Sequence, residues 1–335
     1  MSSFPPDAIR LLHGFRGYQL AVAACRLGLP DLVASGPLRA DDIATRTGMN
    51  AAAMRRMLRG LVAWGFLAES DGRYASTPVS DAFRSDRPGL RNMTLMLNDE
   101  AYPTWASLMY TLETGKAAFD HLHGKSLWET LSENPDQAAL FNAAMVETST
   151  RVATELAAAY DFGWARTVVD VGGGNGALLA GVLRANPHLQ GVLYDLPAGL
   201  AGAQEAMEAA GVAERVKLSE GSFFETVPSD GDVYLLKSIL HDWDDDHAVK
   251  IAATCRAAMA PSSRLLVVER WVPEQVTSSA ADLAAVMSDL HMMVLLGGRE
   301  RTNSEFAEMF EAAGLRLLRD IEMRSDFHVL EAEPI

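Results

Sequence analysis

Three short stretches of this chain combine residue types and spacings that can do chemistry. The first is Gly172-Gly173-Gly174-Asn175-Gly176, entered from TVVDV (167–171) and left through ALLAGVLRA. Glycines let a backbone turn tightly and approach a ligand with no Cβ in the way. The start of the following helix offers free N–H groups and a field that favours anions. The second is Asp195, 23 residues after Gly172, at the end of the apolar run that closes GVLYDL (191–196). An acid there accepts hydrogen bonds from both hydroxyls of a ribose. The pair points to a nucleoside-containing ligand. Nicotinamide chemistry is the first rival, because Gly172-x-Gly174-x-x-Ala177 can be laid on the dinucleotide pattern. The inert reading is a structural turn followed by a surface Asp. The third stretch is LLKSILHDWDDD (235–246), where His241 sits among acids as a strand gives way to a helix. A histidine with an ordinary pKa of about 6.5 is mostly neutral at pH 7 and can take a proton from a hydroxyl. By itself, such a histidine is more often not catalytic.

The elements around these stretches fix where they can meet. TVVDV, GVLYDL, VKLSE (216–220), DVYLLKS (232–238) and RLLVVER (264–270) are short apolar, β-branched runs separated by Ala- and Leu-rich helical segments. That alternation predicts a parallel sheet with helices on both faces, and ligands at the carboxyl ends of its strands. FHVLEAE (327–333) supplies a late strand, at the sheet edge or beside its centre. Asp244-Asp245-Asp246 reads as a helix start, where negative charge is stabilised.

The first ~95 residues follow a different plan. Helical spacing over Ala21–Val33, then ADDIATRTG (40–48), then AAAMRRMLRGLVAWGFL after Asn50, is followed by two short strands around Asp71-Gly72. Three helices and a hairpin are the order of a winged helix. Its plain role is protein–protein packing, and its alternative role is DNA binding. Arg55, Arg56 and Arg59 are the only clustered positive charges on the third helix. Residues 96–160 read as helical and rich in large side chains, either bridging two domains or walling a pocket. The predicted organisation is therefore residues 1–95 as a winged-helix-like unit, 96–160 as a helical connector and pocket wall, and 161–335 as an α/β cofactor-binding domain.

Composition narrows the partners. A net charge of −15 argues against a protein that grips phosphates or anionic membrane surfaces, since both need a basic face. No apolar run reaches the ~18 residues of a membrane span, and the N-terminal residues lack signal-peptide character. The only two cysteines, Cys25 and Cys255, are too few and too far apart for a disulfide framework, which fits a reducing cytoplasm. No Cys/His spacing suits zinc, so no metal is expected.

In combination, DVGGGNG, YDLP (194–197), GSFFE (221–225), LLKSILHDWDDD, VVER (267–270) and GGRERTNSEF (297–306) resemble the plant-type, caffeate- and acetylserotonin-like O-methyltransferase family, in its bacterial natural-product tailoring branch. The resemblance covers the whole chain. It implies a class I S-adenosylmethionine (SAM)-dependent methyltransferase with a Rossmann-like sheet behind a helical dimerisation domain. It further implies a homodimer, and S-adenosylhomocysteine as product. Position by position, it places Gly172 and Gly174 in the SAM loop and Asp195, with Leu196, at the ribose. Ser222 and Phe223 fall at the adenine, with Lys237 and Ser238 near the cofactor. Ser222 is a departure, standing where the family usually has Asp. His241 matches the general base, Asp242 follows it, and Glu269 and Glu300 match the two acids that flank it. One of those acids would fix the tautomer and stabilise the imidazolium, as an Asp does in a serine-protease triad. By matched position Phe141, Met145, Trp243 and Met292 are candidates for an apolar substrate pocket, with Asn98 and His291 as polar contacts. The expected reaction is methyl transfer to a hydroxyl of a small aromatic molecule, phenolic or polyketide-type. The alternatives are methyl transfer to nitrogen or carbon, a family member with hydroxylase, decarboxylase or pericyclase-like chemistry, and a winged-helix regulator with a vestigial cofactor domain.

Overall fold

The computed structural model describes residues 4–335, which form two compact units. One comprises the chain to Tyr102 together with Ala139–Glu147, and the other comprises Pro103–Ala138 and Thr148–Ile335. The stretch 96–160 contributes to both. Its longest helix, Pro135–Ala159, begins and ends in the second unit and has its middle in the first.

In the first unit a helix spans Pro6–Arg26, with proline at its start, Asp7 in the first turn and Arg26 in the last. This arrangement complements the helix dipole. Gly28, in the left-handed region at φ +64°, ends that run and starts a separate helix, Leu29–Ala34. The single helical segment expected over 21–33 is therefore two. Helices Ala40–Thr47 and Ala51–Ala63 follow, the second capped by Asn50, which accepts hydrogen bonds from the N–H groups of Ala52 and Ala53. The sheet has three strands: β1 (Leu38–Arg39), β2 (Leu67–Ser70) and β3 (Arg73–Ser76), in the order β1-β3-β2. Sequence reading recovered the β2–β3 hairpin but not β1, whose two residues are too few to show a period. Leu29, Ile43, Leu58, Leu61 and Phe66 fill the core between helices and sheet.

The second unit is built on seven strands: β4 (Thr167–Val171), β5 (Gln190–Asp195), β6 (Val216–Glu220), β7 (Val233–Lys237), β8 (Arg264–Glu269), β9 (Leu315–Glu322) and β10 (His328–Pro334). Their order is β6-β5-β4-β7-β8-β10-β9. The first five are mutually parallel, and β10 runs antiparallel to both of its neighbours. The sheet is therefore mixed, where the sequence suggested a parallel one. The late strand lies one place inside the edge. The edge itself is β9, which sequence reading missed because LRLLRDIE carries charges along its exposed side. Central strands are buried on both faces, and successive residues alternate between two cores. Val168, Val233 and Val268 pack on one side with the helix Ala177–Ala185. Val169, Tyr234 and Val267 pack on the other with helices Asp245–Ala258 and Asn303–Ala312.

Strand order reverses between β4 and β7. β4 continues to β5 on one side, and β7 continues to β8 on the other. In an open α/β sheet the crevice beyond the carboxyl ends at such a reversal is where ligands bind. The glycine turn leaves β4 there, and the histidine segment leaves β7.

Candidate active site

At the end of β4, Gly172 has φ +71°, and a Cβ on it would lie 2.6 Å from Ile239 Cδ1. Glycine takes this left-handed conformation without strain and leaves room for the Ile239 side chain that follows β7. Gly174 N–H donates to Asp195 Oδ2 at 2.8 Å, and Leu196 N–H donates to Asp195 Oδ1 at 2.6 Å. Two backbone groups thus aim the carboxylate at the end of β5, and lone pairs remain on both oxygens for further donors. Burial raises the Asp195 pKa above the ordinary range, and those two N–H groups oppose the rise. Under the turn, the buried Asp170 carboxyl is pushed up to about 7 by burial and by the charge of Asp195.

Ser222 Oγ accepts a hydrogen bond from Phe224 N–H at 3.3 Å. The rings of Phe223 and Phe224 meet Trp243 edge-on, with centroids 6.3 and 4.7 Å away. Trp243 therefore stands with the residues expected beside adenine. Lys237 closes β7 and donates to Ser149 Oγ at 3.3 Å. Burial pulls its pKa down to about 8, although Glu269 nearby works in the other direction. Ser238 is a non-glycine residue in the left-handed region, at φ +54°. Its N–H donates to Val268 O at 3.1 Å. Backbone strain of this kind persists only where the surroundings impose it, and here it turns the chain sharply out of β7.

A single 3-10 turn, Leu240–Asp242, then carries His241. His241 is 8% exposed. Nδ1 is hydrogen-bonded to Glu300 Oε1 at 3.0 Å, Glu269 Oε2 lies 3.2 Å from the same nitrogen, and Asp242 Oδ1 is 3.4 Å from Nε2. The two glutamates have different duties. Glu269, at the end of β8, uses Oε1 to accept from the N–H groups of Ile239 and Leu240 at 2.8 and 3.0 Å, so it holds the turn. Glu300 Oε1 accepts the hydroxyl hydrogen of Ser288 at 2.7 Å as well as the ring N–H, while Glu300 N–H donates to Asp289 Oδ1 at 3.0 Å. Glu300 is thus the carboxylate fixed against the ring.

The charges follow from this crowding. Burial alone would lower the His241 pKa, but Glu269, Glu300 and Asp242 together outweigh it and push it up to about 10. Burial raises Glu269, and it raises Asp242 to about 7. Glu300, although buried, is held below the ordinary value by His241 and by its hydrogen bonds from the ring and Ser288.

Two residues that hold the histidine turn were not singled out from the sequence. Arg301 is 1% exposed and donates to Leu240 O at 2.9 Å, Trp243 O at 3.0 Å and Asp245 Oδ1 at 2.9 Å. A Cβ on Gly298 would lie 2.1 Å from His241 O, and Arg299 N–H donates to that carbonyl at 2.9 Å. The only signal for either is the string GGRERT, in which the resemblance gives a role to the glutamate alone.

Among the remaining expected residues, His291 and the buried Met292 lie on the helix Ala280–Leu295, which also carries Ser288. Trp105 Nε1–H donates to His291 Nδ1 at 3.4 Å. Asn98, Phe141 and Met145 belong to the first unit. The Asn98 side chain is already engaged there, accepting from Gln19 at 2.7 Å and donating to Asp99 at 2.9 Å.

Comparison with known proteins matches residues 105–316 to the O-methyltransferase domain family and residues 9–86 to the O-methyltransferase dimerisation domain. A phenazine O-methyltransferase of Lysobacter antibioticus is 36% identical over 329 residues, covering 98% of this chain and 95% of that protein. The solved structure of a mitomycin 7-O-methyltransferase superposes with a TM-score of 0.90 at 35% identity, over 98% of this chain and 97% of that one. An O-methyltransferase from neocarzinostatin biosynthesis, solved with SAM and 2-hydroxy-5-methyl naphthoic acid, gives a TM-score of 0.84 at 29% identity, with both chains covered in full.

Proposed function

This chain belongs to the SAM-dependent O-methyltransferase family, and from that membership we propose that it methylates a hydroxyl of a small aromatic molecule, phenolic or polyketide-type, with His241 as the base. The residues at the carboxyl ends of β4 and β5 suit the cofactor. Gly172 and Gly174 form a turn whose positive φ angles suit glycine, and Asp195 has an oriented carboxylate suited to a ribose. Leu196, Ser222, Phe223, Lys237 and Ser238 complete that side. When bound, SAM supplies an electrophilic methyl group and leaves as S-adenosylhomocysteine.

The observation that carries the reading is the line Ser288–Glu300–His241 at the end of β7, beside the glycine turn. Glu300 takes the Nδ1 hydrogen, so Nε2 is the atom that meets the acceptor hydroxyl. With its pKa raised to about 10, the ring matches a phenol, for which tyrosine's value of about 10 is the reference. At neutral pH such a ring already carries its proton, unlike the neutral imidazole expected from the sequence, so the imidazolium–phenol pair must lose one proton to solvent before it rests as imidazolium and phenolate. Glu269 steadies the turn from behind, and Asp242 adds negative charge near Nε2. In-line positioning of the acceptor oxygen supplies much of the remaining rate.

Met292 is proposed to contribute apolar pocket wall, with His291 as a polar contact. The proposed assembly is a homodimer in the cytoplasm, paired through the N-terminal unit. That unit leaves Leu11, Leu12 and Phe15 exposed along the helix Pro6–Arg26. Incubation with methyl-labelled SAM and a panel of hydroxylated aromatic acids, quinones and polyketides tests the activity. Label in an aryl methyl ether is the expected result. Label on nitrogen or carbon only, or no transfer to any member, would contradict it.

A further inference from the structure

His291 is a half-buried histidine outside the proton-transfer line, and its geometry specifies what it offers. It follows Ser288 by three residues on the helix Ala280–Leu295, so the two share a face. Ser288 touches Glu300, and Glu300 touches His241. The His291 ring therefore lies on the side of this helix turned toward the base. Trp105 Nε1–H is a donor only, and it points at His291 Nδ1 from 3.4 Å. Nδ1 must act as acceptor, which puts the ring hydrogen on Nε2. Burial, reinforced by the charge of His241, lowers the His291 pKa to about 4, so the ring is neutral at physiological pH. The site thus offers a proton acceptor at His241 and, one helical turn from the serine that fixes Glu300, a neutral N–H donor of set tautomer.

Resting on the methyl-transfer reading above, we propose that His291 is a specificity-determining residue that donates Nε2–H to a carbonyl oxygen adjacent to the reacting hydroxyl, so that the preferred acceptors are hydroxy-ketones and hydroxyquinones rather than simple phenols. Two features favour a neutral carbonyl over a carboxylate at that position. The donor is uncharged, and Glu269, Glu300 and Asp242 close by repel a second anion. An adjacent carbonyl otherwise takes the hydroxyl hydrogen in an internal hydrogen bond, and an N–H donated to that carbonyl competes with this bond and frees the hydrogen for His241.

The test uses pairs of acceptors differing only in that oxygen, 2-acetyl against 2-ethyl on 1-naphthol, with matching pairs on benzene and anthracene skeletons. The full-length enzyme should show kcat/KM at least tenfold higher for the acetyl member. His291→Leu should lower kcat/KM for the acetyl member at least fivefold more than for the ethyl member and so erase the preference, and His291→Gln, which keeps an N–H donor, should restore part of it. Trp105→Phe frees the tautomer and should reduce the preference in the same direction. SAM binding by each variant reports that it is folded. No acetyl preference in the wild type, or an equal loss on both members in His291→Leu, overturns the specificity role and leaves methyl transfer standing. No transfer to any pair overturns the specificity role and the reading it rests on together.

Discussion

Two carboxylates approach the same nitrogen of His241, and one N–H cannot serve both. Glu300 makes the hydrogen bond and is held by Ser288 and Asp289, while the nearer oxygen of Glu269 is only a charge 3.2 Å away. Ser288 is thus a positioning residue acting through Glu300. Its hydroxyl helps keep the Glu300 pKa low and, through it, the imidazole basic. Ser288→Ala lets Glu300 take a proton more readily and makes His241 less basic. The rise of kcat/KM with pH, which tracks proton loss from the imidazolium–phenol pair, is then expected to move to lower pH. The plateau should fall by about three- to tenfold, the size of one ordinary hydrogen bond. An unmoved profile would show that Ser288 is packing only. His241, Glu269 and Glu300 were legible in the sequence because each sits in a recognisable string. Ser288 and Trp105 were not, because a serine twelve residues before Glu300 and a tryptophan 186 residues before His291 acquire meaning only when the fold brings them together.

At the scale of elements, the base is held by segments distant in sequence. β7 ends in the strained Ser238, Glu269 from β8 binds the two N–H groups that precede His241, and the 297–302 loop clamps the turn from the other side. Within that loop Gly298 lets the two backbones touch. Gly298→Ala places a methyl carbon 2.1 Å from His241 O, and the turn must shift by more than an ångström to admit it. Displacement of this size at a proton-transfer site is expected to lower kcat by about a hundredfold, with SAM affinity changed far less because the glycine turn after β4 is untouched. Isothermal titration beside single-turnover rates separates the two effects. Equal losses in both would mean the loop supports the whole cleft. Sequence patterning recovers the parallel strands, of which the central ones are buried on both faces, and the order of helices before the β2–β3 hairpin. It failed at β1, too short to carry a period, and at β9, whose exposed edge is charged and reads as loop.

For the molecule as a whole, acidic composition and exposed apolar groups point different ways. A net charge of −15 favours separate, soluble copies. Leu11, at 85% exposure, together with Leu12 and Phe15, forms an apolar patch of the kind a second copy covers. On the proposed pairing, the parent is expected to sediment as a dimer and the double variant Leu11→Glu, Phe15→Glu as a monomer. An unchanged dimer would place the contact elsewhere.

Replacement of His241 by Gln gives the most direct test of the account. The amide keeps polarity and nearly the same volume but cannot take a proton. With a phenol acceptor that the wild type methylates, single-turnover transfer from labelled SAM should fall by roughly 10²–10⁴-fold, with SAM affinity within a factor of three. Part of the rate should return for acceptors acidic enough to be phenolates at the assay pH. Wild-type rates in the Gln variant, with the same pH profile, would show that this imidazole does not move the proton.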